Sequence, residues 1–258
     1  SMMTGADALD ARRLLSQSGP VEDLRLGPVK IIIQAATGSL SPPQDELNQL
    51  VQRVHETGMQ LAFHVDEMET LEAALTALET ALRKTPRPDH RHRMEHCSVC
   101  PPHLMKRLKE VNATVVTQPP FIYYSGERYL ATVPPEDLQW LYAIGSLRAG
   151  GIRVAASSDA PVVPFNPLVG LCAAVTRKAA SGQPLLPHER ISPLEALRSY
   201  TIDAAYASFE EIAKGSISQG KLADLAVLSE DPIAVPPDQI GEMQVLTTIL
   251  DGKVVWQK

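Results

Sequence analysis

The apolar positions of this chain fall into short β-branched runs separated by longer stretches with helical spacing. Val29-Lys30-Ile31-Ile32-Ile33 reads as a strand, closed by Thr37-Gly38-Ser39 and Pro42-Pro43. A helix is predicted from Gln44 to Thr57, because Leu47, Leu50, Val51 and Val54 share a face and Gly58 stands where a C-cap belongs. Met59 to Val65 is a second strand, and its helix runs from Glu67 to Lys84, ended by Pro86 and Pro88. Arg91 to Cys97 reads as a third strand, with a helix over Pro101 to Val111 behind it. Ala113 to Thr117 is a fourth, leading into a Pro- and Tyr-rich loop from Gln118 to Pro135. A helix from Glu136 to about Arg148 then delivers the chain to Ile152–Ala156, a fifth strand entered through Gly150-Gly151 and stopped by Ser157-Ser158-Asp159 and Pro161.

Further helices are predicted from Leu168 to Ser181 and from Ser192 onward. Ser192 is an N-cap, Pro193 a first-turn residue, and Glu195 completes a capping box. From Gly215 the texture changes: Ala223–Leu228 and Val245–Leu250 alternate, and Asp251-Gly252 before Lys253-Val254-Val255-Trp256 is a hairpin signal. Residues 4–28 are polar and mixed, with one amphipathic piece around Ala8 to Leu15, and are expected to be irregular. Ser1-Met2-Met3 reads as a cloning remnant and is set aside.

Strands alternating with helices at this spacing imply an α/β protein with parallel strands and right-handed crossovers. The expected organisation is an irregular segment over 1–26, a βα body over 27–214 and a small set of antiparallel strands over 215–258.

Composition narrows the function classes. The 258 residues, 44% of them apolar, can bury a sizeable core. The net charge of -6 is spread out, with no basic run for nucleic acid or an anionic membrane. No apolar stretch approaches the roughly 20 residues of a membrane span. Three cysteines make no disulfide framework and no signal peptide is apparent, so a soluble protein of the reducing cytoplasm is expected.

Lys30, His64, His96 and Asp159 belong to the first, second, third and fifth of these strands. Parallel strands present their C-terminal ends on one rim, where residues distant in sequence converge. Two imidazoles and a carboxylate suit zinc or a similar divalent ion. A lysine joins such a set only when carboxylated. Each member alone has a plainer reading: a histidine on an apolar strand is commonly a satisfied core residue, and Asp159 could simply cap the segment after it.

Val29-Lys30, Phe63-His64, Arg93-Met94-Glu95-His96-Cys97, Ser158-Asp159-Ala160-Pro161 with Asn166-Pro167, and Gly215-Ser216-Ile217 with Gly220-Lys221-Leu222-Ala223-Asp224 resemble the amidohydrolase superfamily. The branch is amidohydrolase family 3, which contains N-substituted formamide deformylases. The resemblance implies about strands 4–8 of a (β/α)8 TIM barrel beside part of a small β-sandwich. It implies hydrolysis of non-peptide C–N bonds through a metal-activated water. Lys30 would be the carboxylated lysine bridging one or two divalent ions, His64 and His96 would hold one of them, and Asp159 would bind the other and take the proton from the water.

One family element is missing: nothing upstream of Lys30 supplies the His-x-His of the first barrel strand. The one such pair, His90-Arg91-His92, enters a strand instead of leaving it. Five strands cannot close a barrel, so open edges are expected at the Lys30 and Asp159 strands: either the chain is a fragment of a longer protein, or it covers those edges by rearranging or as a homo-oligomer. The alternative reading is a non-catalytic truncated α/β scaffold that self-associates and binds at most one metal. A nucleotide-binding sheet is disfavoured because no Gly-rich phosphate loop follows a strand.

Tyr123, Tyr124 and Arg128 are candidates for a substrate wall, and Glu95 for orienting a metal ligand or pairing with Arg93. Cys97-Ser98-Val99-Cys100 with His103, or with His90 and His92, is weak evidence for a zinc knot. His55 and His188 are expected in solvent.

Overall fold

A computed structural model describes residues 2–5, 26–36 and 38–258 of the chain. The stretch Ala8–Leu15 lies outside the described residues. Two compact units are distinguished: Ser1–Val115 with Gly150–Ile152, and Val116–Ala149 with Arg153–Lys258.

The first unit runs β1 (Met2–Gly5), β2 (Leu26–Ile32), a hairpin of β3 (Gln34–Ala36) and β4 (Ser39–Ser41), α1 (Gln44–Glu56), β5 (Leu61–Val65), α2 (Met68–Lys84), β6 (Arg93–His96), α3 (Pro102–Glu110) and β7 (Thr114–Thr117). The sheet order is β1-β2-β5-β6-β7, and the first four strands are parallel. The α/β reading and the predicted helices α1, α2 and α3 hold to within a residue. The edge beside Lys30 does not stand open as expected. Thr4 and Gly5 pair with Val29 and Lys30, so Met2 and Met3, set aside in the sequence, are strand residues. The expected irregularity of residues 4–28 fails at both its ends.

Register fixes the two faces of this sheet. Ile31, Phe63 and Met94 stand opposite one another on successive strands and are fully or nearly fully buried. Leu47, Val51 and Val54 of α1, Leu71, Leu75 and Leu78 of α2, and Leu104 and Leu108 of α3 supply the buried helix stripes, spaced three and four apart. Because side chains alternate, Lys30, Ala62 and Arg93, then Ile32, His64 and Glu95, share the other face.

A lattice of three imidazoles underlies β5 and β6. The Leu61 N–H donates to His92 Nδ1 at 2.9 Å, which leaves His92 Nε2–H to donate to His55 Nδ1 at 2.8 Å. His55 Nε2–H then donates to the Thr85 carbonyl at 2.7 Å. The His92 N–H donates to His90 Nδ1 at 2.9 Å, and His90 Nε2 reaches the Val111 carbonyl at 2.7 Å. Each ring is a neutral Nε2–H tautomer, and His55 is buried rather than solvated. Helical periodicity puts His55 four residues after Val51, on the buried side of α1, so its position in the helix outweighs its polarity.

The second unit contains the end of β7, α4 (Pro120–Thr132), α5 (Pro135–Leu138), α6 (Ile144–Ala149), β8 (Arg153–Ala156), α7 (Pro167–Thr176), α8 (Pro193–Tyr200) and α9 (Ile202–Ala207). Strand β8 lies beside β7, and Ser157 N–H donates to the Thr117 carbonyl at 2.9 Å. Val116, Ala155 and Ala207 form a buried cluster with Ala204 packed on it. Ser192 caps α8 in the predicted capping box with Glu195.

Three expectations fail here. The predicted loop 118–135 is mostly the helix α4: Pro120 sits in the first turn, where its missing N–H costs nothing, and Phe121, Ile122, Gly126 and Tyr129 bury one face. The predicted helix 136–148 is broken into α5 and α6, and α7 stops at Thr176 instead of reaching Ser181. One residue accounts for the break and the early stop. Arg177 is fully buried and left-handed at φ 55°, which ends α7. Its guanidinium donates to the carbonyls of Leu141 at 3.1 Å, Tyr142 at 2.8 Å and Leu185 at 3.0 Å, so the first two are taken from any continuing helix. Burial pushes Arg177 down to about 10.

The tail forms β9 (Leu225–Leu228), β10 (Val245–Leu250) and β11 (Lys253–Gln257), antiparallel in the order β11-β10-β9. Asp251 and Gly252 turn the hairpin at φ 49° and 74°, as the Asp-Gly pair predicts. No helix among the described residues is long and apolar enough to cross a membrane.

Two buried hydroxyls of the second unit, Tyr200 Oη and Thr117 Oγ1, have no hydrogen-bond partner among the described residues. Both residues line an internal cavity with Pro119, Ala174 and Ile191 that is too narrow for a water molecule. A Cβ at position 170 would lie 1.8 Å from Tyr200 Oη, so α7 carries glycine there. Tyr200→Phe is therefore expected to raise the unfolding free energy by about 1 kcal/mol in urea denaturation, because it removes a desolvated, unpaired group. Gly170→Ala is expected to lower it by about 1–3 kcal/mol, and by less in the Tyr200→Phe background.

The histidine lattice sets a pH dependence. Burial, with Arg87 and the neighbouring imidazoles adding to it, lowers His92 well below and His90 below the ordinary 6.5. Both rings are neutral in the fold and gain protons at their ordinary value when the chain unfolds. The unfolded state then binds more protons, so stability is full above about pH 6.5 and falls as pH falls through it. Urea denaturation at pH 7.5 and 5.5 should show this loss, and His92→Gln should shrink the difference.

Candidate metal centre

The face bearing Lys30 and His64 receives a further ligand-type residue by a break in the pleat. In register, His96 stands opposite Val65, which would send its ring to the helix-covered side with Met94. Instead His96 and Cys97 are both left-handed, at φ 69° and 52°, and the Cys97 N–H bonds back to the Glu95 carbonyl at 2.9 Å. This tight turn ends β6 and sets the His96 ring edge-on to His64, with centroids 4.5 Å apart at 77°.

Asp66, which is absent from the ligand set expected from the sequence, completes the group. It comes after β5, two residues beyond His64, and therefore shares its side. His64 Nε2 lies 2.9 Å from Asp66 Oδ2, and Ser98 Oγ donates to Asp66 Oδ1 at 3.0 Å. One donor atom each from His64, Asp66 and His96 lie within 4.8 Å of one another. Burial pushes the Asp66 carboxyl up, but the His64 hydrogen bond, the imidazoles of His96 and His64, and the Ser98 hydroxyl outweigh it and hold the group below its ordinary value. Glu67 beside it is raised, by burial first and then by Asp66 and Glu69.

These residues fit a divalent ion. Bonds of about 2.0–2.2 Å to nitrogen and oxygen separate tetrahedral donors by roughly 3.3 Å, a spacing these side chains reach by small rotations. His64 and Asp66 have side chains 31% and 46% exposed, so the group opens to solvent, while His96 is buried.

The structure also places the other predicted residues. Lys30 is half-buried in β2 opposite Ala62, one pair before His64 on the same face. Glu95 is buried and bonds Arg93 Nε at 2.7 Å, the plainer of its two readings. Asp159 belongs to the second unit, exposed after β8 at φ 58°, where its carbonyl accepts from Val162 N–H at 2.9 Å. Tyr123, Tyr124 and Arg128 lie on α4 rather than on a loop. The two tyrosine rings meet edge-on at 5.0 Å, and Arg128 lies 4.9 Å from the Tyr129 ring centre.

The Cys97–Cys100 pair is buried, and its mutual hydrogen bond together with burial pushes the Cys97 thiol well up. His90 and His92 commit both ring nitrogens to the lattice, leaving no lone pair for a zinc knot.

Comparison with known proteins adds a relationship to this geometry. Residues 3–256 match the model of a family described as the amidohydrolase family. The chain is 29% identical over 263 residues to the putative amidohydrolase YtcJ of Bacillus subtilis (strain 168), covering 93% of this chain and 49% of that protein. It is 31% identical over 216 residues to the N-substituted formamide deformylase of Arthrobacter pascens, covering 83% and 40%. An uncharacterized metal-dependent hydrolase from Pyrococcus horikoshii OT3 superposes with a TM-score of 0.75 at 24% identity, covering 90% of this chain and 50% of that one. The last likeness shows the fold alone. The chain spans about half the length of the relatives it matches.

Proposed function

The chain belongs to the amidohydrolase family, and on that premise we propose that it carries part of a metal-dependent hydrolase that cleaves non-peptide C–N bonds of small molecules. What supports this reading is the convergence of His64, Asp66 and His96 at the ends of two neighbouring parallel strands. The likeness to an N-substituted formamide deformylase points to N-acyl or N-formyl amines as the substrate class.

In this reading His64 and His96 would hold one divalent ion, zinc being the expected one, Lys30, carboxylated, would be the bridging ligand, and Asp159 would bind the other ion where two are present. The bound ion supplies a water acidic enough to ionise near neutral pH. Asp159 would be the general base toward the attacking water and would pass the proton to the departing amine, a role that suits an exposed carboxylate at a strand end. Glu95, tied to Arg93, steadies the end of β6 beneath His96. Tyr123, Tyr124 and Arg128 form a substrate wall, with the half-exposed rings offering an apolar surface and Arg128 a hydrogen-bond donor. A cytoplasmic location, a body over 27–214 with a separate tail over 215–258, and self-association through β8, the last strand of its sheet, complete the proposal.

Protein purified without a His tag should carry one or two equivalents of metal by elemental analysis, and His64→Ala with His96→Ala should abolish this. Metal-loaded protein should release amine from N-formyl or N-acyl amines, with a loss of at least about 100-fold in Asp159→Asn. Metal-free protein after zinc, manganese and bicarbonate are supplied would remove the proposal.

A further inference from the structure

We infer that Asp66 is itself a metal ligand, completing with His64 and His96 a single-ion site contained in the first unit, and that Ser98 is the positioning residue that aims it. The inference rests on the metal-dependent reading above and deepens it.

The two strand ends carry matched pairs. Asp66 stands two residues after His64, and Ser98 two residues after His96, and the Ser98–Asp66 hydrogen bond of 3.0 Å ties one pair to the other. The left-handed turn at His96 and Cys97 thus does two jobs: it sets the His96 ring against His64, and it carries Ser98 to the carboxylate. Both oxygens of Asp66 are thereby directed, Oδ1 by the serine hydroxyl and Oδ2 toward His64 Nε2, so the carboxylate is held facing the imidazoles. Among the described residues no lysine or arginine pairs with Asp66. A half-exposed carboxylate set against two imidazoles and a hydroxyl, with no lysine or arginine paired to it among the described residues, has the surroundings of a ligand.

Three protein donors with one open position are the set that hydrolytic zinc sites use. His64, Asp66 and His96 supply that number within the first unit, and the open position is left for water or the carboxylated Lys30.

The test uses Co2+ as the probe, monitored by visible absorption and by isothermal titration of the metal-free protein. The parent is expected to bind one ion at this site with the absorption of a low-coordinate, His-containing centre. Asp66→Asn should weaken binding roughly 100-fold or more and alter the spectrum, and Ser98→Ala should weaken it about 10-fold with the spectrum retained. Unchanged affinity in both variants, with binding lost in His64→Ala with His96→Ala, would overturn the assignment of Asp66 and leave the histidine site standing. Unchanged binding in the double histidine variant would overturn that site as well. Ser98→Ala removes a single hydroxyl, so unchanged affinity in that variant overturns the role of Ser98 even where Asp66→Asn fails to fold.

Discussion

The candidate centre depends on one departure from the two-residue alternation of a strand. Regular pleating would place His96 on the helix-covered face with Met94, and only the left-handed backbone at His96 and Cys97 reverses it. A non-glycine residue in that region costs about 1–3 kcal/mol, and two in succession are held only where the surroundings over-determine them. Here the surroundings are the bond from Cys97 N–H to the Glu95 carbonyl, complete burial of Cys97 and Cys100, and the Ser98–Asp66 link. The strain is concentrated where two strand ends must bring functional groups together, and the ladder of Ile31, Phe63 and Met94 behind them stays regular.

The second unit uses a left-handed residue for a different end. Arg177 turns α7 off and then commits its guanidinium to carbonyls from two separate segments. A fully buried guanidinium bonded to carbonyls rather than to a carboxylate is costly, which is reflected in its depressed proton affinity, with Glu189 nearby as partial compensation. What it secures is the broken path between α5 and α6.

The strands, the α1, α2 and α3 helices, the Ser192 capping box and the Asp251-Gly252 hairpin were legible in the sequence because each depends on local periodicity or turn chemistry. His64 and His96 were legible as strand residues of ligand type. Asp66 and Ser98 were not, because each lies just past its strand, and their meeting depends on backbone angles at His96 that no local pattern announces. The α4 helix was hidden by reading Pro119-Pro120 as a breaker when it starts a helix. The α5–α6 break was hidden because its cause, Arg177, lies about thirty-five residues away in sequence. Met2 and Met3 were discounted on position alone, whereas pairing with β2 made them part of the sheet.

The histidine lattice sorts the seven imidazoles of this chain by nucleophilicity. An electrophile needs a ring nitrogen with a lone pair to offer. In His55, His90 and His92 that lone pair already accepts an N–H and the opposite nitrogen already donates one. Their chemistry is closed off by wiring as much as by depth. Reactive imidazole is thereby confined to the surface residues His103 and His188 and to the two rings of the candidate centre, where a nitrogen lone pair has a use.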